Sequence, residues 1–571
     1  MNKINQLNII FNKREKFQIY VYLMLTLINP IIEVLGIGSL VALILFFFDS
    51  FGNNFYTFFD NFNFENYRIS ETFSIQNILY FIILIFLLKA IYLTFYSYYE
   101  TKIRNLLVAD KSKGAFESFI NSPYIQIKNT TKSEVFNSSV LESARVIDYV
   151  MGIIMLFREI ILLIILFLSL LVINILYTSF LFTTLILFFV LIYFLLSKKM
   201  YFIGEQLRKL QKNLVDQVNE TISSFKVIDI LNKKSFFINK FNLTTDIRKT
   251  NLFIQQYIKK LPRIIFEAYM VIAICSTILI FYSEDEFNQI ISYIAILGLI
   301  SSRVLPSFTN LNVIYSTIKF NEASIDNYFN KFYLKKKFIF ENKENHPLEI
   351  DKIHSIKIMD LDFSYQNQKK IIQGLNLEIQ MGDVFGIFGR SGSGKSTLVD
   401  ILSGLIIPEK GKILINNEFN IDNYLDHWKK IVGYVPQAPL ILNDSIINNI
   451  CLGVKNTAID NSKLNQVISI TNLKNLIDEH EKFKNFKVGE NGNLLSGGQK
   501  QRISIARTLY FNPRVIIFDE ATSSLDNQSE NEILNLILKL KKDHLIILIS
   551  HNEKIRKLCS KSINIEDFNA K

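Results

Sequence analysis

The segment from Gly389 to Ser396 has the residue types and spacing of a phosphate-binding loop. Its sequence, GRSGSGKS, fits G-x-x-x-x-G-K-[ST] and stands between an apolar run and a helical pattern. Glycines in such a loop let backbone N–H groups close around phosphate oxygens, and the N-terminus of the following helix adds a favourable dipole. Lys395 is therefore predicted to reach the β- and γ-phosphates of a nucleotide, and Ser396 to ligate Mg²⁺. The predicted nucleotide contacts here are Gly389, Arg390, Ser391, Gly392, Ser393, Gly394, Lys395, Ser396 and Thr397.

Two adjacent carboxylates, Asp519 and Glu520, end the apolar run VIIFDE. An aspartate at the end of a buried strand in this setting holds Mg²⁺, usually through water. The carboxylate that follows it can orient and polarise a water molecule for attack on a phosphate. The loop and this strand end together predict ATP and Mg²⁺ as the bound species.

Between these motifs, Leu495–Gln499 reads LSGGQ. With this pentapeptide in place, the chain resembles the ATP-binding cassette (ABC) superfamily, and further motifs of that family follow in the expected order. The resemblance implies that Tyr365 stacks on adenine, that Gln437 senses the γ-phosphate, and that His551 is the switch histidine. It implies catalytic roles for Glu520, His551, Gln437 and Lys395, and Mg²⁺ ligation by Ser396, Gln437 and Asp519.

The LSGGQ motif also implies a partner. In this family the motif of one cassette completes the ATP site of another, and the D-loop, here ending in Asp526, lies beside it. The chain has one cassette, so the resemblance implies two chains, in a symmetric homodimer or in a heterodimer with a related half-transporter. The residues expected to contact the nucleotide across such an interface are Ser496, Gly497, Gly498, Gln499 and Asp526.

The N-terminal part of the chain carries long apolar runs. A membrane span takes about 20 apolar residues. Basic residues cluster before the first run, after the second and after the fourth, so both termini are predicted to be cytoplasmic. The net charge of +11 is accordingly attributed to basic residues that set the orientation of the membrane spans, and not to a nucleic-acid-binding surface. The predicted spans are 17–48, 77–99, 149–175, 178–197, 262–282 and 288–318.

These elements predict a two-domain chain. Residues 1–334 form an α-helical membrane domain with six transmembrane helices, and a charged linker, 335–352, leads to an α/β P-loop NTPase domain over 353–571. By resemblance this is the type I ABC exporter (type IV ABC transporter) fold, multi-pass in the bacterial inner membrane, with the ATP-binding domain in the cytoplasm. The aromatic outer loop 51–73 is either a helix lying on the outer leaflet or a collapsed loop.

Two further segments occupy the positions of exporter coupling helices, 120–134 and 220–235. By resemblance, the second is expected to dock on the cassette of the opposite subunit, near Gln437.

Charges inside the predicted spans bear on the substrate. Ionisable groups there face an interior or a cavity when they are not paired. In one interpretation Glu33 neutralises Lys89 or Arg303, and Arg263 extends to the interface. In the other, Lys89, Arg263 and Arg303 line a cavity that suits a phosphate or pyrophosphate group.

Three span segments, IEVLGIG, LPRIIFE and SSRVLPS, resemble the flippases of bacterial N-linked protein glycosylation. This resemblance implies a polyprenyl-pyrophosphate-linked oligosaccharide as the substrate and membrane lipid as a partner. Export of other lipids, peptides or hydrophobic drugs remains the alternative. A different class, an ATP-gated or regulatory membrane protein, is disfavoured because Glu520 and His551 are both intact.

Overall fold

The chain divides into a helical unit and an α/β unit. The helical unit comprises Met1–Ser122 and Gln126–Phe340, and the α/β unit comprises Pro123–Ile125 and Glu341–Lys571. The predicted linker, 335–352, and the aromatic outer loop, 51–73, lie outside the described residues. The computed structural model describes residues 3–48, 75–171, 175–281, 287–330, 353–365, 370–481, 487–523 and 525–568.

Long helices in the helical unit cover most of each segment predicted to span the membrane; residues 172–174 and 282 of those segments lie outside the described residues. They form because these segments are rich in Leu, Ile and Phe, and because helices satisfy all backbone hydrogen bonds internally. Several extend well beyond the apolar run into charged sequence. The helices are α1 Lys3–Ile10, α2 Lys13–Phe48, α3 Ile75–Ile120, α4 Tyr124–Lys128, α5 Lys132–Phe136, a π-helical turn Asn137–Glu142, α6 Ser143–Leu171, α7 Ile175–Ser223, α8 Phe225–Ile230, α9 Lys234–Phe281 and α10 Phe287–Tyr328.

Within the described residues, three segments are both long and apolar enough to cross a membrane: Lys13–Val41, Leu79–Ile120 and Lys132–Ser169. The surface of α3 is apolar, as expected for a helix that crosses a membrane. Large apolar side chains stand exposed along it, as they would in contact with lipid. They include Tyr80, Phe81, Ile83, Leu84, Leu87, Leu88 and Ile91.

The α/β unit contains two sheets. An antiparallel sheet has the strand order β2-β1-β4-β5, and a parallel sheet has the order β6-β7-β8-β3-β9. Strands β3 and β8 are buried along their whole length, which explains their continuous apolar sequences. The strands are β1 Ser355–Phe363, β2 Ile372–Gln380, β3 Val384–Phe388, β4 Lys410–Ile415, β5 Phe419–Asn420, β6 Val432–Val435, β7 Val515–Asp519, β8 Leu545–Ile549 and β9 Lys561–Asn564.

Helices pack on the parallel sheet, and one of them holds the only tryptophan of the sequence. Trp428 is 1% exposed, and its Nε1 donates to the Leu402 carbonyl oxygen at 2.8 Å, at the end of the helix that follows β3. The helices are α11 Lys395–Leu402, α12 Leu425–Ile431, α13 Ile446–Ile450, α14 Asn461–Ile470, α15 Lys474–Glu481, α16 Gly497–Tyr510, α17 Asn527–Leu540 and α18 Glu553–Arg556.

Candidate functional site

The parallel sheet brings the predicted chemistry to one edge. The phosphate-binding loop follows β3, Gln437 follows β6, Glu520 follows β7, and His551 follows β8. Because these strands are parallel, their carboxyl ends meet at the same edge, where ligands bind in open α/β sheets. Residues far apart in the sequence therefore converge on one site.

The loop after β3 has the backbone that a phosphate cradle requires. Gly392 and Gly394 have positive φ angles of 84° and 97°, which favour glycine. A Cβ added to Gly392 would meet nothing within 4 Å, whereas one on Gly389 would lie 2.6 Å from Ser393 Oγ. The loop is thus tightly folded on one side and open on the other, and α11 begins immediately after it. This geometry fits the phosphates of a nucleotide.

Lys395 spans the loop. Its Nζ donates to the carbonyl oxygens of Gly389 at 2.8 Å and Arg390 at 2.9 Å, and it lies 3.9 Å from Glu520 Oε1. The side chain is 7% exposed, so the ammonium group is held in place. Ser396, by contrast, is exposed at the first turn of α11. The ammonium group is therefore buried within the loop, and the residue that carries the predicted Mg²⁺-ligating hydroxyl is exposed next to it in the sequence.

Glu520 contacts three other residues that the sequence predicted to be catalytic. Gln437 Nε2 donates to Glu520 Oε2 at 3.0 Å, and His551 Nδ1 lies 3.5 Å from Glu520 Oε1. Gln437 Nε2 also lies 3.3 Å from Ser523 Oγ. The structure thus places Glu520, Gln437, His551 and Lys395, which the sequence predicted as catalytic, in one contact network.

Asp519 has a partner that the sequence analysis missed. The hydroxyl of Tyr434, on β6, donates to Asp519 Oδ2 at 2.9 Å. Burial raises the pKa of the Asp519 carboxyl above its ordinary value, and the hydrogen bond from Tyr434 opposes that rise. The pairing of β6 with β7, which sets Tyr434 opposite Ile517, brings the two side chains together. No local motif marks Tyr434, so only the sheet order reveals it.

The oxygen atoms at this edge fit magnesium. Ser396, Gln437 and Asp519 can offer a hydroxyl, an amide oxygen and a carboxylate, the hard ligands that Mg²⁺ prefers. Within the part of the chain that the structure describes, no cluster of three or more His, Cys, Asp or Glu side chains could hold a metal ion. This donor set suits an ion that also takes water and phosphate oxygens as ligands.

Two more predicted contact residues cap helices. Ser496 caps α16 in a capping box, with Gln499 N donating to Ser496 Oγ at 3.2 Å and Ser496 N donating to Gln499 Oε1 at 2.8 Å. Asp526 caps α17 and accepts from Ser529 N at 3.1 Å, and its bonds to Ser529 lower its pKa. The LSGGQ segment and the D-loop therefore both sit at helix N-termini. Their role across a dimer interface stays a prediction.

Tyr365 lies just beyond β1. Its hydroxyl is 3.5 Å from Thr397 Oγ1, on the helix that follows the phosphate loop, and its ring meets the edge of Phe363. An aromatic ring is thus fixed next to the loop, where the resemblance places the adenine. Stacking on a base stays a prediction.

Comparison with known proteins agrees with this geometry. Residues 372–523 match the model of the ABC transporter family. A solved structure described as a bacterial Atm1-family ABC exporter with ATP bound superimposes with a TM-score of 0.71, covering 97% of this chain and 93% of that one at 17% identity. The chain has the fold of an ABC exporter. The predicted fold class is confirmed, and the domain that matches the family model, residues 372–523, contains the phosphate-binding loop and the LSGGQ segment.

Curated proteins with similar sequences match this chain over part of their length. An export ATP-binding/permease protein of Rickettsia typhi is 31% identical over 369 residues, which are 61% of this chain and 61% of that protein. The alpha-hemolysin translocation ATP-binding protein HlyB of Escherichia coli O157:H7 is 41% identical over 198 residues, 34% of this chain and 28% of that protein. This chain therefore spans about three fifths of the Rickettsia protein. The match to HlyB is shorter, 198 residues, which is about the length of one domain.

The helical unit of this exporter fold brings two of the predicted substrate cations, Lys89 and Arg303, close to the same carboxylate, Glu33. Arg303 Nη1 lies 3.7 Å from Glu33 Oε2. Lys89 is buried, with its Nζ 5.6 Å from the ring centre of Phe86. Arg263 is exposed on α9. Arg303 and Glu33 both line a cavity of the helical unit, between α2, α3, α6 and α10.

Proposed function

We propose that this chain is an ATP-driven exporter whose cassette hydrolyses ATP. The observation that carries the proposal is the contact network of Glu520. A carboxylate held by Gln437 and His551, and lying 3.9 Å from the loop lysine, can orient a water molecule next to a bound γ-phosphate.

In this proposal, each residue has one task. Lys395 and the backbone N–H groups of the loop hold the phosphates and stabilise the negative charge that develops on them. Glu520 accepts a hydrogen bond from the attacking water and orients its oxygen toward the γ-phosphorus. The water oxygen bonds to that phosphorus while the bond from the phosphorus to the bridging oxygen breaks, and the electron pair of the broken bond leaves with ADP. The water gives up one proton through its hydrogen bond to Glu520, and inorganic phosphate is released. Mg²⁺ bound near Ser396 and Asp519 would supply further neutralisation of phosphate charge.

Replacing Glu520 tests this assignment. Glu520→Gln keeps the shape of the side chain but removes the carboxylate charge and replaces one acceptor oxygen with an NH₂ group. We expect ATP turnover to fall by about 10²-fold or more, while ATP binding is retained. Turnover is measured by phosphate release from the purified full chain in lipid nanodiscs, and binding by a fluorescent ATP analogue.

A matched control is Glu418→Gln, which changes an exposed carboxylate in the turn before β5. It should leave turnover and binding at the wild-type values. Near-normal hydrolysis by Glu520→Gln would show that another group orients the water, and the catalytic assignment would be wrong.

The proposed assembly is a homodimer in the bacterial inner membrane. Both termini and the cassette lie in the cytoplasm, as the distribution of basic residues between the predicted spans indicates. Two chains are needed because one chain carries a single LSGGQ segment and a single phosphate loop. The helical segments 120–134 and 220–235 are proposed to couple the cassettes to the membrane domain.

As substrate we propose an amphipathic anion, a polyprenyl-pyrophosphate-linked oligosaccharide. The support is the likeness of the span segments around Glu33, Arg263 and Arg303 to the glycosylation flippases, together with the 42% exposure of the Arg303 side chain. Reconstitution in liposomes with a fluorescent lipid-pyrophosphate oligosaccharide tests it. ATP-dependent flipping is expected. No flipping, with transport of a polypeptide or another lipid under the same conditions, would reject this substrate while leaving the exporter proposal intact.

A further inference from the structure

The loop that carries Gln437 lies between two attachment points on one helix. Gln437 follows β6, which ends at Val435, and both Gln437 and Ala438 are exposed. An exposed loop moves more readily than the strand before it, so the position of the Gln437 side chain depends on what holds the ends of the loop. The helix that reaches both ends is α16, Gly497–Tyr510, which begins in the LSGGQ segment.

On the side before the loop, α16 packs closely on β6. A Cβ added to Gly433, on β6, would overlap Thr508 Cγ2, so the helix and the strand leave room for glycine alone at this point. The side chain of Gln501 is also buried, and its Nε2 donates to the Pro436 carbonyl oxygen at 3.4 Å, a long hydrogen bond. Because Pro436 directly precedes Gln437, α16 holds the start of the loop.

On the side after the loop, the attachment to α16 is stronger. Arg507 Nη1 donates to the carbonyl oxygen of Leu440, three residues beyond Gln437, at 2.7 Å. Its Nε donates to the Asn449 carbonyl oxygen at 2.7 Å, and its Nη2 donates to Asn449 Oδ1 at 3.2 Å. The planar guanidinium thus makes three hydrogen bonds in a fixed geometry, which a lysine ammonium on a flexible stem does not reproduce.

Asn449 extends this attachment along the backbone. It is fully buried, its Oδ1 accepts from Leu442 N at 2.8 Å, and its Nδ2 donates to the Leu442 carbonyl oxygen at 2.9 Å. A buried side chain whose hydrogen bonds are satisfied in this way makes the surrounding backbone rigid. The backbone at Leu440 and Leu442 is therefore fixed to α16 through Arg507 and Asn449, and only residues 437–439 lie between the two attachment points.

We infer that Gln501 and Arg507 are positioning residues for Gln437, and we call the pair the loop clamp. The loop clamp fixes both ends of the loop to α16 and so keeps Gln437 Nε2 at 3.0 Å from Glu520 Oε2. Groups that orient a residue at a reacting centre affect the rate without touching the substrate. The inference rests on the proposed catalytic roles of Gln437 and Glu520, whereas the attachment of the loop to α16 can be measured without ATP hydrolysis.

Amide hydrogen exchange of the full chain in lipid nanodiscs, without nucleotide, tests the loop clamp directly. Arg507→Lys keeps the charge but loses most of the hydrogen bonds, so the amides of residues 437–442 should exchange about tenfold faster. Arg502→Lys is the matched control, because Arg502 lies on the same helix but donates to Glu532 on α17. It should leave exchange at 437–442 unchanged. Wild-type exchange at 437–442 in Arg507→Lys would overturn the inference.

A double-variant cycle separates positioning from a general loss of stability. Arg507→Lys should lower ATP turnover by about tenfold while binding of a fluorescent ATP analogue is retained. In a chain that already carries Gln437→Ala, the same change should lower turnover no further, because the loop then has no side chain to position. The effects of Arg502→Lys and Gln437→Ala should instead multiply. A further tenfold loss when Arg507→Lys is added to Gln437→Ala would contradict the inference.

Gln501→Met is an independent second variant, which removes the amide but nearly conserves the volume of the side chain. It should speed exchange at the start of the loop and lower turnover less than Arg507→Lys does, since it removes one long hydrogen bond. Thermal unfolding of each variant checks folding. Wild-type turnover by Gln437→Ala would reject the proposed catalytic role of Gln437, and the exchange measurement would still decide whether the loop clamp exists.

Discussion

Adjacent carboxylates at the end of β7 adopt different backbone conformations. Asp519 ends the strand, whereas Glu520 has a left-handed φ of 46°. That conformation costs a non-glycine residue roughly 1–3 kcal/mol and is concentrated at functional sites. It turns the side chain of Glu520 toward Gln437 and His551, while Asp519 contacts Tyr434. A strained backbone thus gives two neighbouring acids separate contacts.

At the residue scale, Tyr434 should tune the acidity of the site. Tyr434→Phe removes the hydroxyl that donates to Asp519, and the hydrogen bond is what opposes the upward shift of the Asp519 pKa. That pKa should therefore rise further, so that protonation begins at a higher pH. The acid limb of the ATPase pH profile should move to higher pH, and more Mg²⁺ should be needed for half-maximal rate at the acid end.

Tyr424→Phe is the control, because Tyr424 is a half-buried tyrosine in the other part of the α/β unit, packed on Phe419. Its pH profile should match that of the wild type. An unchanged acid limb in Tyr434→Phe would mean that protonation of Asp519 does not limit the rate.

At the element scale, the starts of α16 and α17 are packed against each other. A Cβ added to Gly498 would lie 2.9 Å from Ser529 Oγ and 3.2 Å from Ser529 Cβ. Gly498→Ala should therefore push the two helix ends apart and destabilise the chain by roughly 1–3 kcal/mol. Thermal unfolding should shift downward and ATPase activity should fall.

Ser529→Ala provides the matched second change, since it removes the hydroxyl but keeps the Cβ. The double variant should recover part of the lost stability. If it recovered none, the packing of Gly498 against Ser529 would not be the reason for the loss.

The elements also show what sequence can and cannot predict. The loop from Gly389 to Ser396 was predictable because strand, glycines and helix are contiguous, and short local segments fix their geometry. Only some of the residues that line the cavity between α2, α3, α6 and α10 could be predicted from the sequence. Glu33 and Arg303 were singled out, but Glu100, Arg158 and Glu159 were not, because their convergence depends on how four separate helices rotate and pack. Tyr434 was missed for a similar reason, since sheet order and not local sequence places it beside Asp519.

At the scale of the whole molecule, the proposed dimer predicts complementation between defective chains. Lys395→Ala disables the phosphate loop and Ser496→Arg disables the LSGGQ segment, so homodimers of either variant should be inactive. In a mixed dimer both defects fall in one composite site, and the other site is intact. Co-expression of the two variants with different tags, followed by tandem purification, should restore part of the ATPase rate.

Co-expression of Lys395→Ala with Glu520→Gln gives the control. Both changes affect the same side of the composite site, so each site in the mixed dimer carries one defect and no activity should return. Absence of recovery in the first pair, with mixed dimers present, would show that the LSGGQ segment does not complete the site of a second chain.

The buried position of Trp428 has a practical consequence for kinetics. It is the only tryptophan in the sequence, and its indole N–H is bonded to the last turn of the helix that begins at Lys395. Tryptophan emission from the unlabelled protein therefore arises entirely from the cassette. A small displacement of α11 when nucleotide binds would alter that hydrogen bond and so the emission spectrum. Stopped-flow fluorescence can then follow nucleotide binding and release directly in the native chain, without an attached dye.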